Sequence, residues 1–428
     1  MTLATGIAQC VRVVLFLGCV IGRSTWTRAD EPKLDAPRIA VTDDDSVIDS
    51  FPVDKSGGTL LIPVTIGEKQ LHFILDTGCN MSIFGPALRA SLNPTGRESV
   101  VNGETSTELF ECPAMTIGRL ELKAGQLVVS TDLSGFQAYT RHPVSGILGM
   151  DFLSGKLIQI DFDAGRVVLF KRGTHVASRR VALHYGEDDL PRVEIDLPGI
   201  GTEKFLVDTG CGGFQSGILS TDVFDRLFND THLQLLGQTP QIALFFGSRE
   251  TRKGTLTWLS LAGERHEMQF FTEDISKNST NGIGLGYLAR YRVTLDFEKN
   301  EMILEKGKRF SRVYPANWAG IDIATKDGVS VVLEVEKDGP AWTSGIRAGD
   351  RIVSIDGTDA TAIRLDQIGC LLQCRSRHEL RVTWGSSPLF TLQAPDSGVT
   401  VKVLRLSETH PREFRLSRKR RISGAESR

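Results

Sequence analysis

An internal duplication constrains this chain more than any other feature. Phe73-Ile74-Leu75-Asp76-Thr77-Gly78-Cys79 returns 132 residues later as Phe205-Leu206-Val207-Asp208-Thr209-Gly210-Cys211. Two more landmarks repeat in the same order. Ile147-Leu148-Gly149 is matched by Gly284-Leu285-Gly286, and Ile160-Asp161-Phe162-Asp163 with Val167-Val168-Leu169 by Leu295-Asp296-Phe297-Glu298 with Met302-Ile303-Leu304. Gly149 follows Asp76 by 73 residues and Gly286 follows Asp208 by 78. Three collinear matches at nearly equal spacing mark a repeated folding unit. A chain of 428 residues exceeds what one core usually organises, so two such units and a third region fit the length.

Each copy is written in short alternating or apolar segments broken by Gly, Asn and Pro, such as Leu60 to Ile66 and Val193 to Leu197. This is the grammar of strands and hairpins. Asn102-Gly103, flanked by Val100-Val101 and a Thr/Glu-rich stretch, predicts a two-residue hairpin turn, because both central residues of that turn need positive φ. Phe245-Phe246-Gly247-Ser248 stands at the comparable place in the second copy. Short helices are expected from Gly85 to Leu92 and from Ser220 to Phe228.

An Asp at the end of an apolar strand, followed by Thr-Gly, is a carboxylate delivered to a tight turn, with Gly bringing a backbone N–H close to it. One such turn is common; two, each with a later Leu-Gly segment, form a pair. The motifs resemble the pepsin/retropepsin superfamily of aspartic peptidases over roughly Gly58 to Glu305. The resemblance implies a mainly β fold of two retropepsin-like acid-protease β-barrel lobes, residues 57–172 and 173–308, and a catalytic pair Asp76 and Asp208. It also implies that Thr77 and Thr209 hold the two turns together by hydroxyl-to-backbone bonds and that Gly78 and Gly210 donate N–H to the carboxylates. Asn102 and Gly103 would tip a flap over the substrate. Two carboxylates a few ångströms apart share a proton, for which aspartic proteases are the standard example. This sequence departs from pepsins at Cys79 and Cys211, which stand where pepsins carry Ser or Thr; a thiol is a poor donor, so a less acidic working range is expected.

The grammar changes near Phe310. A strand is expected at Val329 to Val335 and a helix from Leu365 to Cys374, and Gly349-Asp350-Arg351-Ile352 through Asp356-Gly357 with the earlier Ala319-Gly320-Ile321 resemble the PDZ domains of bacterial periplasmic proteases. That implies a small α+β PDZ domain over 309–405, in which Ala319, Gly320 and Ile321 would line the peptide-binding edge. Its ligand would be a peptide end.

At the N-terminus an apolar run from Val13 to Gly22, between Arg12 and Arg23, is too short to span a bilayer and suits the core of a signal peptide, residues 1–29. Leu17-Gly18-Cys19 is the alternative lipoprotein reading. Residues 30–56 are then a linker or short propeptide, and the basic segment 406–428 is a solvated tail. Membrane contact is expected only through the signal, a lipid on Cys19 or that tail. The expected location is the periplasm or the outside. A net charge of −2 gives no argument for nucleic acid. Five cysteines remain once Cys10 and Cys19 leave, an odd number, so at least one thiol is free. No metal-ligand spacing accompanies them, and neither metal nor cofactor is expected. The expected partners are peptide or protein substrates. A catalytically silent adaptor of the cell envelope, binding peptides without cutting them, is the alternative reading.

Overall fold

Alternating residues and buried apolar triplets pair as strands in both copies. Leu61–Ile66 runs antiparallel to Lys69–Leu75 across a turn at Gly67, whose φ of 58° favours glycine. Lys69–Leu75 starts exposed and ends fully buried at Phe73-Ile74-Leu75, so it carries Asp76 into the interior. The second copy repeats this with Pro191–Leu197, Gly201–Val207 and Asp208. A computed structural model describes residues 46–53, 58–101, 105–134, 136, 143–174, 176, 178–212, 215–243, 247–274 and 280–311. Beyond these it describes 321–326, 329–335, 337–338, 340–343, 345–352, 354–355, 358–359, 382–383, 399–403 and 412–416. The expected signal peptide therefore lies outside the described residues, as do Asn102, Gly103, Ala319, Gly320 and the expected helix from Leu365 to Cys374.

The chain divides into two units, Met1–Val313 and Tyr314–Arg428. In the first, each copy builds its own curled sheet, of nine strands in the first lobe and eight in the second. The second is drawn further closed because Pro191–Leu197 also pairs with Gly247–Leu261. The fold is mainly β, with sheets curled into half-barrels.

The hairpins occupy matching positions. Asn93–Val101 pairs with Thr105–Glu111, and Leu233–Ala243 with Gly247–Leu261. The innermost pair of the first is Val101 with Thr105, so three residues connect the strands where the sequence predicted a two-residue turn. Each hairpin follows a short helix. Pro86–Ser91 is 3₁₀, and Thr221–Asn229 is α-helical with the Ser220 hydroxyl capping it by accepting from the Val223 N–H at 3.3 Å.

A six-stranded sheet joins the lobes. Its centre is Leu157–Asp161 antiparallel to Tyr291–Asp296, flanked by Arg166–Phe170 and Glu301–Lys306. At the middle of that pairing Gln159 faces Thr294, and the duplication makes these two residues counterparts, so the local two-fold axis passes between them. Their side chains hydrogen bond at 2.9 Å. The outer strands are Val47–Pro52 and Arg179–Ala182. Val47–Pro52 falls inside the segment read as linker or propeptide and is instead an integral strand, because Phe51 is buried and the backbone pairs with Arg166–Phe170.

Strand register corrects one correspondence. Gly146–Leu148 lies parallel to Phe73-Ile74-Leu75, and Gly282–Ile283 lies parallel to Leu206-Val207. The counterpart of Ile147-Leu148-Gly149 is therefore Gly282-Ile283-Gly284, two residues before the sequence match. Leu285-Gly286 looked like a Leu-Gly landmark but begins the following helix, Leu285–Leu288, which corresponds to Met150–Leu153.

In the second unit, Ile321–Lys326, Val329–Val335 and Arg351–Ile352 form a three-stranded sheet. Ile321, Val332, Val335, Ala341 and Ile346 are buried. The Asp350 carboxylate accepts the Arg347 N–H at 2.8 Å, and Gly349, at φ 89°, makes the turn between them. A five-stranded sheet ends with Val399–Val403 antiparallel to Arg412–Leu416. Within the segment read as a solvated basic tail, Arg412–Leu416 is a strand: Phe414 and Leu416 alternate with charged residues, the period-two pattern of a strand.

Candidate active site

The two Asp-Thr-Gly turns meet on the two-fold axis. The Thr77 N–H donates to the Thr209 hydroxyl at 3.0 Å, and the Thr209 N–H donates to the Thr77 hydroxyl at 3.1 Å. Each hydroxyl then donates across the lobe boundary, Thr77 to the Val207 carbonyl at 2.5 Å and Thr209 to the Leu75 carbonyl at 2.9 Å. Thr77 and Thr209 are fully buried, so these four bonds form where no water competes for them.

The grip brings Asp76 and Asp208, both buried, face to face. The Asp76 N–H is held by the Leu148 carbonyl and the Asp208 N–H by the Ile283 carbonyl, each at 3.0 Å, which is how the later segments of both copies position the turns. The Gly78 N–H donates to Asp76 Oδ1 at 2.8 Å. In the second lobe it is the Cys211 N–H, one residue further on, that donates to Asp208 Oδ1 at 2.8 Å, and the Gly210 N–H bears on both carboxyls. The glycines are needed for a cross-lobe reason. A β-carbon on Gly78 would lie 2.7 Å from Asp208 Cγ, and one on Gly210 would overlap the Asp76 carboxyl.

Burial, then the negative charge of Asp208, holds the Asp76 carboxyl well above the usual carboxylate range. Asp208 is raised by burial too, against the opposing pull of the Cys211 and Gly210 N–H groups. Neither Oδ2 atom accepts a hydrogen bond from a protein donor among the described residues. Two desolvated carboxyls in contact retain one proton between them, and the pair can act as an acid and a base in one step.

The thiols that replace the usual hydroxyls do not serve the carboxylates. Cys79 Sγ donates to the Met81 carbonyl at 2.7 Å, and Cys211 Sγ accepts from Gln215 Nε2 at 3.3 Å. Burial pushes both thiols upward in pKa, which keeps them neutral. Cys79, Cys112 and Cys211 are free and buried.

Asp151 was missed by sequence reasoning. It lies two residues past Gly149 and accepts the Ser82 N–H at 3.0 Å and the Ser82 hydroxyl at 2.7 Å. Burial raises its carboxyl to about 6, against the opposing Ser82 bonds. A carboxylate just after the glycine of one copy, where the other has Gly286, was the available signal.

Residues 62–152 match the sequence model of a family described as aspartyl protease, and residues 331–384 match that of the PDZ domain. No curated protein matches the chain. Among solved structures it is similar to an aspartic proteinase from Irpex lacteus, at 13% identity and a TM-score of 0.40, over 62% of this chain and 99% of that one. With the paired Asp-Thr-Gly turns in place, the chain is one that carries an aspartyl protease domain followed by a PDZ domain.

Proposed function

We propose that the chain is an exported aspartic endopeptidase in which Asp76 and Asp208 together activate a water against a peptide carbonyl. The observation that carries this reading is the cross-lobe grip of Thr77 and Thr209, which sets two buried carboxyls side by side with Gly78 and Gly210 packed against them. The ionised member of the pair takes a proton from the water as its oxygen attacks the carbonyl carbon. The protonated member gives its proton to the developing oxyanion, yielding a neutral gem-diol. Collapse breaks the C–N bond, with one proton passing to the leaving amine, and the pair returns to its singly protonated state. Proton transfers of this kind contribute about 10²–10⁴-fold in rate.

In this reading Thr77 and Thr209 hold the geometry, Gly78 and Gly210 tune the carboxylates, and Asn102 and Gly103 at the end of the first hairpin cover bound substrate. The PDZ domain takes a substrate or partner peptide as an added strand, with Ala319, Gly320 and Ile321 at its binding edge. Export rests on the apolar run after Arg12 and directs the enzyme to the periplasm or the outside.

Binding of a statine-containing peptide tests the reading, because its hydroxyl mimics the tetrahedral intermediate. The dyad predicts tight binding lost in both Asp76→Asn and Asp208→Asn. Binding that survives both changes would place the peptide elsewhere and contradict it.

A further inference from the structure

The two-fold symmetry that relates the lobes is broken beside the dyad. In the first lobe Ser82 and Asp151 join the loop after Asp76 to the start of helix Met150–Leu153. Pairing of Ile83 with Ile147 and of Ile218 with Gly282 makes Gly217 the counterpart of Ser82, and the two helices make Gly286 the counterpart of Asp151. The second lobe lacks both side chains, and its backbone fills the space: a β-carbon on Gly217 would run into the Gly282 carbonyl.

In the first lobe the contacts form a closed circuit. The Gly149 N–H donates to the Ser82 hydroxyl at 2.8 Å, which in turn donates to Asp151 Oδ1 at 2.7 Å. Asp151 Oδ2 takes the Ser82 N–H at 3.0 Å, and Oδ1 also takes the Phe152 N–H at 3.0 Å. The backbone reinforces the circuit, with the Met150 N–H on the Cys79 carbonyl at 2.7 Å and the Asp151 N–H on the Asn80 carbonyl at 3.2 Å. Ser82 therefore hangs on the Asp151 carboxylate, and residues 79–82 are the continuation of the turn that presents Asp76.

We propose that Asp151 is a positioning residue for Asp76, fixing residues 79–82 against the helix start through the Ser82 amide and hydroxyl. Its consequence for catalysis rests on the peptidase reading; the brace itself does not. An ionised Asp151 accepts all three donors, and protonation removes part of that capacity. The titratable groups whose charges it influences are the Cys79 and Cys112 thiols and Lys156, itself close to Arg172. With its carboxyl raised to about 6 by burial, the brace changes state in a range where an exposed carboxylate does not.

The test pairs amide hydrogen exchange with kinetics on the full chain and its Asp151→Asn, Ser82→Ala and Ser82→Thr variants. Asp151→Asn is expected to speed exchange of the Ser82 amide at least about tenfold at neutral pH, while the Ile218 amide in the second lobe stays as it was. It is expected to lower kcat about tenfold with KM little changed, and to remove an acid-side fall in kcat near pH 6. Ser82→Thr, which keeps the hydroxyl, should preserve both readouts, and Ser82→Ala should reproduce the loss even if Asp151→Asn does not fold. Unchanged Ser82 exchange in Asp151→Asn or Ser82→Ala overturns the brace. If the unmodified chain cleaves nothing, the peptidase reading fails, and exchange alone still decides the brace.

Discussion

Removing one threonine hydroxyl from the grip should cost more than any surface change. Thr209→Val keeps the side-chain shape but deletes the acceptor of the Thr77 N–H, at 3.0 Å, and the donor to the Leu75 carbonyl, at 2.9 Å. Thr209 is 0% exposed, so water cannot replace either bond. Each buried group left without its partner costs about 1–3 kcal/mol, so the change should destabilise the protease unit by about 4 kcal/mol, a large part of the roughly 5–15 kcal/mol of a typical domain. Urea unfolding followed by Trp258 fluorescence measures it, since Trp258 lies in the second lobe. With a urea slope of about 3 kcal/mol/M, the midpoint should fall by about 1 M. Thr209→Ser, which retains the hydroxyl, should recover most of the loss. A midpoint for Thr209→Val within about 0.3 M of the parent would refute the argument that the grip is an energetic link between the lobes.

Three further outcomes follow from the same geometry. Gly78→Ala, whose new carbon would lie 2.7 Å from Asp208 Cγ, should lower kcat by about 10²-fold by pushing the carboxyls apart, and steady-state kinetics on an unstructured substrate would detect it. The shared proton also sets a pH dependence. Because both carboxyls are raised in the fold, the folded state binds a proton that the unfolded chain releases, so this contribution to stability is present at low pH and lost as pH rises through the raised value. Melting temperatures of the parent should therefore fall more steeply than those of Asp208→Asn as pH rises, and parallel curves would contradict the assignment. Because neither thiol donates to a carboxylate, the pH–rate optimum should lie well above about 2, and an optimum there would remove the argument from Cys79 and Cys211.

Much of this architecture was legible because the duplication writes the same physics twice. Phe73-Ile74-Leu75 and Phe205-Leu206-Val207 can only be buried strand ends, and an Asp that follows each must be delivered into the core. The roles of Thr77 and Thr209 were legible only through the resemblance to aspartic peptidases that the two motifs carry. The later landmark of the second copy was misplaced by two residues because Leu285-Gly286 resembles Leu148-Gly149 locally, and only strand register distinguishes Ile283 as the true counterpart of Leu148. Val47–Pro52 could not be recognised as a strand because its partner, Arg166–Phe170, lies more than a hundred residues away. Asp151 was hidden for a similar reason: its role depends on Ser82, 69 residues earlier, which no local pattern connects to it.

The central claim is that Asp76 and Asp208 act as one catalytic unit. The most direct measurement is kcat/KM for cleavage of an unstructured protein such as casein by the chain, Asp76→Asn and Asp208→Asn, from about pH 3 to about pH 8. Either substitution is predicted to lower kcat/KM by at least about 10³-fold, with the folded state retained. Cleavage at the parental rate by either variant would show that the pair does not perform the reaction.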